Sequence, residues 1–263
     1  MDRFREFDDS LATEFVALRR DFTKAFLEEL RPSLQVTSAA DIGCGVGYFS
    51  RFLRELGLQV TGIDGRKENV AECRRRYPDI TFETANAEDL DPERMGQFDL
   101  VLCFGLLYHL ENPFRAARGL YAITGKIVLI ESMCAPGTKP AMELLDEADL
   151  VNQGLNYVAF YPTEACLVKM LYRAGFRFVY GFSRLPDHAA FRNTITRKKE
   201  RTVLAASNQP LSASELRLIK EPVRSWDIWP TRLGAWRAWL EQLPMTLRVI
   251  AGRALRGRRS ASK

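Results

Sequence analysis

The chain has two histidines, His109 and His188, in 263 residues, and five cysteines, at 44, 73, 103, 134 and 166, with no C-x-x-C pair. Ligands so few and so scattered exclude a zinc site of the usual spacing, and the odd, dispersed cysteines exclude a disulfide framework. Packed reduced thiols and no metal are expected. No apolar stretch approaches the ~20 residues that a membrane-spanning helix needs; the longest, Phe98 to Leu110, is interrupted by an Asp and a His. The opening MDRFREFDDS is charged and has no apolar core, so no secretory leader is read and a cytoplasmic protein is expected. G-x-S-x-G, H-E-x-x-H and a P-loop lysine are also absent, which removes the chemistries those motifs carry.

What is present is ordinary in bulk and uneven in charge. The chain is 46% hydrophobic and 27% charged, as soluble globular proteins are, and is long enough to bury a full core. The net charge of +5 sits at one end. Residues 207–263 carry 11 Lys or Arg against 4 Asp or Glu, or +7, and the remaining 27 against 29 balance to −2.

Apolar side chains at 11, 15, 18, 22, 26 and 30 recur at steps of three and four, which predicts a helix ended by Pro32. VTSAADI, LQVTGID, ITFETA, QFDLVLCFG and GKIVLIE are strand-like and alternate with helical stretches over 48–56, 67–77 and 113–123. Such alternation builds parallel βαβ units. The expected class is α/β, a Rossmann-like doubly wound sheet, mostly parallel. FRFVYGFS and ERTVLAAS are two final strands, the last of them antiparallel because a long loop joins them. A helix is expected over 141–151, and another after Thr163, its cap, stopped by Gly175. Three regions result: an N-terminal helix packed on the core (1–34), the sheet domain (35–206) and a basic Trp/Arg-rich extension (207–263).

DIGCGVGYFS, Asp41 to Ser50, puts glycines at 43, 45 and 47 directly after the first strand. In an open α/β sheet this βα turn is where ligands bind, and glycine lets backbone approach them without a Cβ. A dinucleotide turn has the spacing G-x-G-x-x-G. Here it is G-x-G-x-G with Asp41 two residues ahead, an acid that suits a positively charged ligand end better than a pyrophosphate. Asp64 ends the second strand, where a carboxylate accepts from both ribose hydroxyls, a geometry shared by NAD sites and others.

DIGCGVGYFS, the acid of GIDGRKENV, ANAEDL after the third strand and FDLVLCFGLLYHLENP at the fourth together resemble the class I S-adenosylmethionine-dependent methyltransferases, over roughly residues 35–206. The resemblance implies S-adenosylmethionine as cofactor. Asp41, Gly43, Gly45 and Gly47 would hold its methionine part, Asp64 its ribose, Gly65 and Arg66 would lie near the adenine edge, and Asn86 and Ala87 would read the ring. Family members often have Asp where Asn86 stands. Phe104 and Gly105 would border the transferred methyl. His109 is the candidate general base, since similar enzymes often place a His at this loop; the alternative is a structural His at a helix start. Tyr108, Glu131, Tyr157 and Tyr161 are candidate substrate residues, with packing as their alternative. His188 is assigned no role.

The implied activity is O-methylation of a small-molecule, glycan or lipid-linked acceptor. GLLYHLENPFRAARGL, VLIES and FYPTEACLVKMLYRAGF are also similar to the bacterial enzymes that carboxymethylate tRNA wobble uridines, although their large N-terminal extension is not seen. An RNA-modifying enzyme is therefore the alternative, and a non-catalytic cofactor-binding protein the third reading. The tail from Arg232 interleaves apolar residues with arginines and has no acid after Glu241. Such a stripe suits an anionic membrane surface, an RNA phosphate backbone, or docking on the domain itself.

Overall fold

The computed structural model describes residues 4, 14–148, 150, 152–194 and 198–222. All of these but Thr194 fall in one compact unit. The basic stretch from 223 onward, with its expected membrane or RNA contacts, lies outside the described residues.

Eight strands form one sheet: β1 (Ser38–Ile42), β2 (Gln59–Asp64), β3 (Thr81–Thr84), β4 (Phe98–Phe104), β5 (Thr124–Met133), β8 (Phe178–Phe182), β9 (Arg201–Ser207) and β10 (Leu216–Leu218). Their order is β10-β8-β9-β5-β4-β1-β2-β3. The β1–β2, β2–β3, β1–β4 and β4–β5 pairs are parallel. β9 runs antiparallel to both β5 and β8, as the long joining loop predicts, and the edge strand β10 is antiparallel to β8. The chain leaves β1 toward β2 and β3, then crosses to β4 on the other side. That reversal opens a crevice beyond the carboxyl ends of β1 and β4.

Side-chain alternation sends each strand to two cores. Ala39, Leu100, Leu102, Ile127 and Leu129 join the layer under α1 (Glu14–Leu30), α2 (Tyr48–Glu55) and α3 (Lys67–Arg76). Ala40, Val101, Cys103, Val128 and Ile130 meet α4 (Pro113–Ile123) and α5 (Glu164–Ala174) on the opposite face. The predicted stripe on α1 is used. Phe22 and Phe26 set their rings edge-on to Phe182 of β8, each at 4.9 Å, and Phe15 stacks on Phe191 at 5.7 Å. Thr163 caps α5 by accepting from the Cys166 N–H at 3.1 Å, and Gly175 closes it at φ 132°. All five cysteines are buried and unbridged. Among the described residues no helix is long and apolar enough to cross a membrane.

The expected helix over 141–151 is corrected. Met142–Asp146 is a strand, β6, paired antiparallel with β7 (Val158–Pro162). A short apolar run such as MELLD satisfies either periodicity, and here a strand partner in VAFYP decides it. Leu144 and Leu145 are 62% and 42% exposed, so no buried helical stripe competes. The segment between β6 and β7 returns to the crevice.

Candidate active site

A cavity of about 470 Å³ occupies the crevice. Its floor is the glycine turn. Gly43 and Cys44 N–H both donate to Ile63 O, at 2.8 and 3.0 Å. Gly43 and Gly45 have φ of 74° and 55°, backbone that favours glycine. Asp64 fixes this turn from β2: its Oδ2 accepts from Gly45 N–H at 2.9 Å, and its Oδ1 accepts from Arg66 N–H at 2.9 Å and Asn69 Nδ2 at 3.1 Å. Burial is the largest influence on the Asp64 pKa and raises it, while those donors pull it down.

Of the residues singled out in the sequence, Gly43, Gly45, Asp64, Gly65, Arg66, Asn86, Ala87, Phe104, Gly105, Tyr108 and His109 all line this one cavity. Asn86 Oδ1 accepts from Glu88 N–H at 3.0 Å, which fixes the side chain with its NH2 as the donor it can offer. Gly47 is elsewhere. It starts α2 at φ 85°, and a Cβ on it would meet Tyr77 and Phe82 at 3.0–3.2 Å, in packing.

Asp41 is not on the cavity wall. It is buried beneath the turn, where Ser50 Oγ donates to its Oδ2 at 2.7 Å. Its carboxylate is engaged by Ser50 of α2, so any influence it has on a ligand in the cavity passes through the turn above it. Burial pushes its pKa from 3.8 up to about 7. An acid whose pKa is higher in the folded than in the unfolded state stabilises most below the unfolded value, and that contribution is lost as pH rises through the folded one. Asp41→Asn, which resembles the protonated form, is expected to gain stability relative to the parent between pH 4 and 7, by roughly 3–5 kcal/mol at one pKa unit per 1.36 kcal/mol. Denaturant midpoints of both proteins at pH 4, 5.5 and 7 check this; parallel pH curves would show that Asp41 ionises as freely folded as unfolded.

The candidate substrate residues divide. Tyr108 lines the cavity and Glu131 lies fully buried behind it. Tyr161 is behind Tyr108, ring to ring at 6.1 Å, and burial pushes its phenol up to about 12. Tyr157 is half exposed, away from the cavity, with φ of 57°.

Four contributors were not expected. Glu147, just after β6, accepts from His109 Nδ1 and, through its other oxygen, from Gly154 N–H at 2.6 Å. Asn69 of α3 lines the cavity, its buried Oδ1 unpartnered among the described residues. Arg19 of α1 and Arg201 of β9 both bond Glu131. Around the mouth, Arg66 donates to Gly154 O at 2.8 Å, drawing residues 152–155 over the cavity.

These groups fit an adenosyl ligand, with a change in detail. Asp64 has about four lone-pair positions and three are occupied, so it keeps room for one ribose hydroxyl. Asn69 Oδ1, an acceptor without a donor, is available on the same wall for a second.

Residues 40–126 match the methyltransferase domain family. A ubiquinone biosynthesis O-methyltransferase of Bordetella avium is 30% identical over 102 residues, 37% of this chain and 42% of that protein; the chain spans less than half the length of the curated relatives it matches. The N-terminal domain of EvdMO1 with S-adenosylhomocysteine bound superposes with a TM-score of 0.59 at 21% identity, covering 72% of this chain and 81% of that one. Magnesium protoporphyrin IX methyltransferase from Synechocystis, with S-adenosylmethionine bound, gives 0.52 at 19%, covering 79% and 93%. The matched methyltransferase domain, residues 40–126, spans the glycine turn and the strand ends that build the cavity.

Proposed function

We propose that the chain methylates a hydroxyl oxygen of a small-molecule acceptor, with His109 as the general base. The observation that carries this reading is the His109–Glu147 pair on the cavity wall. A carboxylate on Nδ1 fixes that nitrogen as the protonated one and leaves the Nε2 lone pair for the cavity. Burial lowers the His109 pKa below 6.5 despite Glu147, which acts in the opposite direction. The ring is thus neutral, and able to take a proton, at neutral pH. Arg66 and the 152–155 segment cover the cavity, and Phe104 and Phe49 give it apolar walls that exclude water.

When bound, S-adenosylmethionine supplies a methyl carbon that leaves its sulfur as the acceptor oxygen bonds to it. Gly43, Gly45, Asp64 and Asn69 would hold it. The chain's own part is to orient the acceptor hydroxyl, receive its proton at His109 Nε2 and release that proton to solvent afterward. Positioning two bound reactants is worth ~7–11 kcal/mol of barrier, so no nucleophile of the protein's own is required. The O-methyltransferase name of the curated relatives supports an oxygen acceptor, and glycan or lipid-linked hydroxyls fit the same chemistry.

The test is calorimetric titration of the full chain with S-adenosylhomocysteine and with NAD, followed by S-adenosylmethionine turnover against fractionated cell extract. Binding of the first ligand alone, with methyl transferred to an extract-derived oxygen, is the expected result. Preference for NAD, or transfer only to nitrogen or carbon, would overturn it.

A further inference from the structure

Beside the turn that ends β4, two guanidiniums share one carboxylate. Arg19 Nη1 donates to Glu131 Oε2 at 2.9 Å and Arg201 Nη1 donates to Glu131 Oε1 at 2.7 Å. Arg201 Nη2 also donates to Tyr108 Oη at 3.1 Å. The arginine side chains are only 12% and 16% exposed, and that of Glu131 is fully buried. Both guanidiniums lie against the Phe15 ring, at 4.6 and 5.1 Å from its centre. A Cβ on Gly105, were there one, would sit 3.8 Å from Arg19 Nη1 and 3.6 Å from Tyr108 Oη. The cationic wall therefore adjoins the place where Phe104 and Gly105 border the cofactor.

Among the described residues, two positive charges share the one negative charge of Glu131. The nearby acid Glu147 is committed to His109 and Gly154, and Lys199 is paired with Glu164. Asp64 is committed to three N–H donors at the glycine turn. A guanidinium's fork matches a carboxylate or phosphate through two parallel N–H bonds, yet each arginine gives Glu131 a single nitrogen. Among the described residues, Arg19 Nε is buried without an acceptor. A charge left over in a largely dry site, with a buried donor still unmatched, marks a place built for an anion.

We infer that Arg19 and Arg201 hold an anionic group, a carboxylate or a phosphate monoester, carried by the methyl acceptor, whose apolar body lies against Phe15 and Tyr108. Assigning the anion to the acceptor rests on the methyl-transfer reading; the cationic wall does not. The other source of a carboxylate at this place is the methionine end of the cofactor, so the experiment separates the two.

Benzoate, phenyl phosphate and neutral benzamide are titrated calorimetrically into the full chain, with and without saturating S-adenosylhomocysteine. Benzoate and phenyl phosphate should bind at least about tenfold tighter than benzamide, the margin of one charged hydrogen-bond pair, and should do so in the presence of S-adenosylhomocysteine. Arg201→Gln should remove that margin and Arg201→Lys should keep part of it, with S-adenosylhomocysteine affinity unchanged in both. The inference is overturned if the wild-type chain binds benzoate no tighter than benzamide, or if S-adenosylhomocysteine displaces benzoate, which would give the cationic wall to the cofactor. Should Arg201→Gln fail to fold, wild-type selectivity and Arg201→Lys decide. A chain that ignores S-adenosylhomocysteine but keeps charge-selective benzoate binding refutes the methyl-transfer reading and leaves the anion site standing.

Discussion

Alanine at His109 is expected to lower turnover about 10²- to 10⁴-fold, the range for a positioned general base, with S-adenosylhomocysteine affinity preserved. The split follows from the geometry. His109 meets the cavity on the same side as Tyr108, whereas the groups fitted to the adenosyl ligand come from β1, β2 and α3. Removing the imidazole deletes the proton acceptor and leaves the glycine turn and Asp64 intact. Glu147→Gln sharpens the test. It removes a charge that raises the His109 pKa against burial, so the acid limb of the rate profile should move to lower pH. The sign follows because activity as a base requires the neutral ring. Turnover rates from pH 5 to 8 for the parent and both variants check this. Equal rates for His109→Ala and the parent would make His109 a structural group.

Asp64→Ala should weaken S-adenosylhomocysteine about 10- to 150-fold, equivalent to the ~1.5–3 kcal/mol of hydrogen bonding to a charged acceptor. The carboxylate has two duties. On the proposed reading it would offer its remaining lone pair to a ribose hydroxyl, and it holds Gly45 in place through the 2.9 Å bond to Oδ2. Asp64→Asn separates them. An amide retains one acceptor oxygen but turns an NH2 toward either the Gly45 N–H or the Arg66 and Asn69 donors. It should therefore bind better than alanine and worse than aspartate. Calorimetry across the three proteins, with melting temperatures to confirm folding, reads the order directly. Affinity that does not change on Asp64→Ala would remove this residue from the ribose site.

The sheet and the glycine-turn side of the cavity are legible in the sequence because their signals are local. A glycine turn, an acid at the end of a strand and a strand–helix rhythm each lie within a dozen residues. Asp41 shows the limit of that legibility. Its place before the turn is plain in the sequence, but whether its side chain turns toward the cavity or toward Ser50 depends on how α2 seats on β1. The acceptor side was illegible for a different reason. Arg19 and Glu131 are 112 positions apart, Arg201 and Glu131 are 70 apart, and His109 and Glu147 are 38 apart. None of these pairs is local in sequence. Arg19 lies one turn beyond Phe15 on the predicted helix, where an arginine is ordinarily solvated. Glu147 lay in a segment given the wrong secondary structure, which hid the hairpin that carries it.

The shared carboxylate has a consequence for biosynthesis. Glu131 closes the central strand β5, but its two partners arrive from the first helix and the ninth strand. As the polypeptide leaves the ribosome, Arg19 is on hand long before Glu131 is made, and Arg201 emerges only after α5 and β8. Until then one rim of the nascent sheet carries an acid with half its counterions, and β5 has an open flank. Synthesis of β9 thus completes the hydrogen-bonded ladder beside β5 and the electrostatics of the pocket in one step, so a stalled chain ending before residue 201 would have neither.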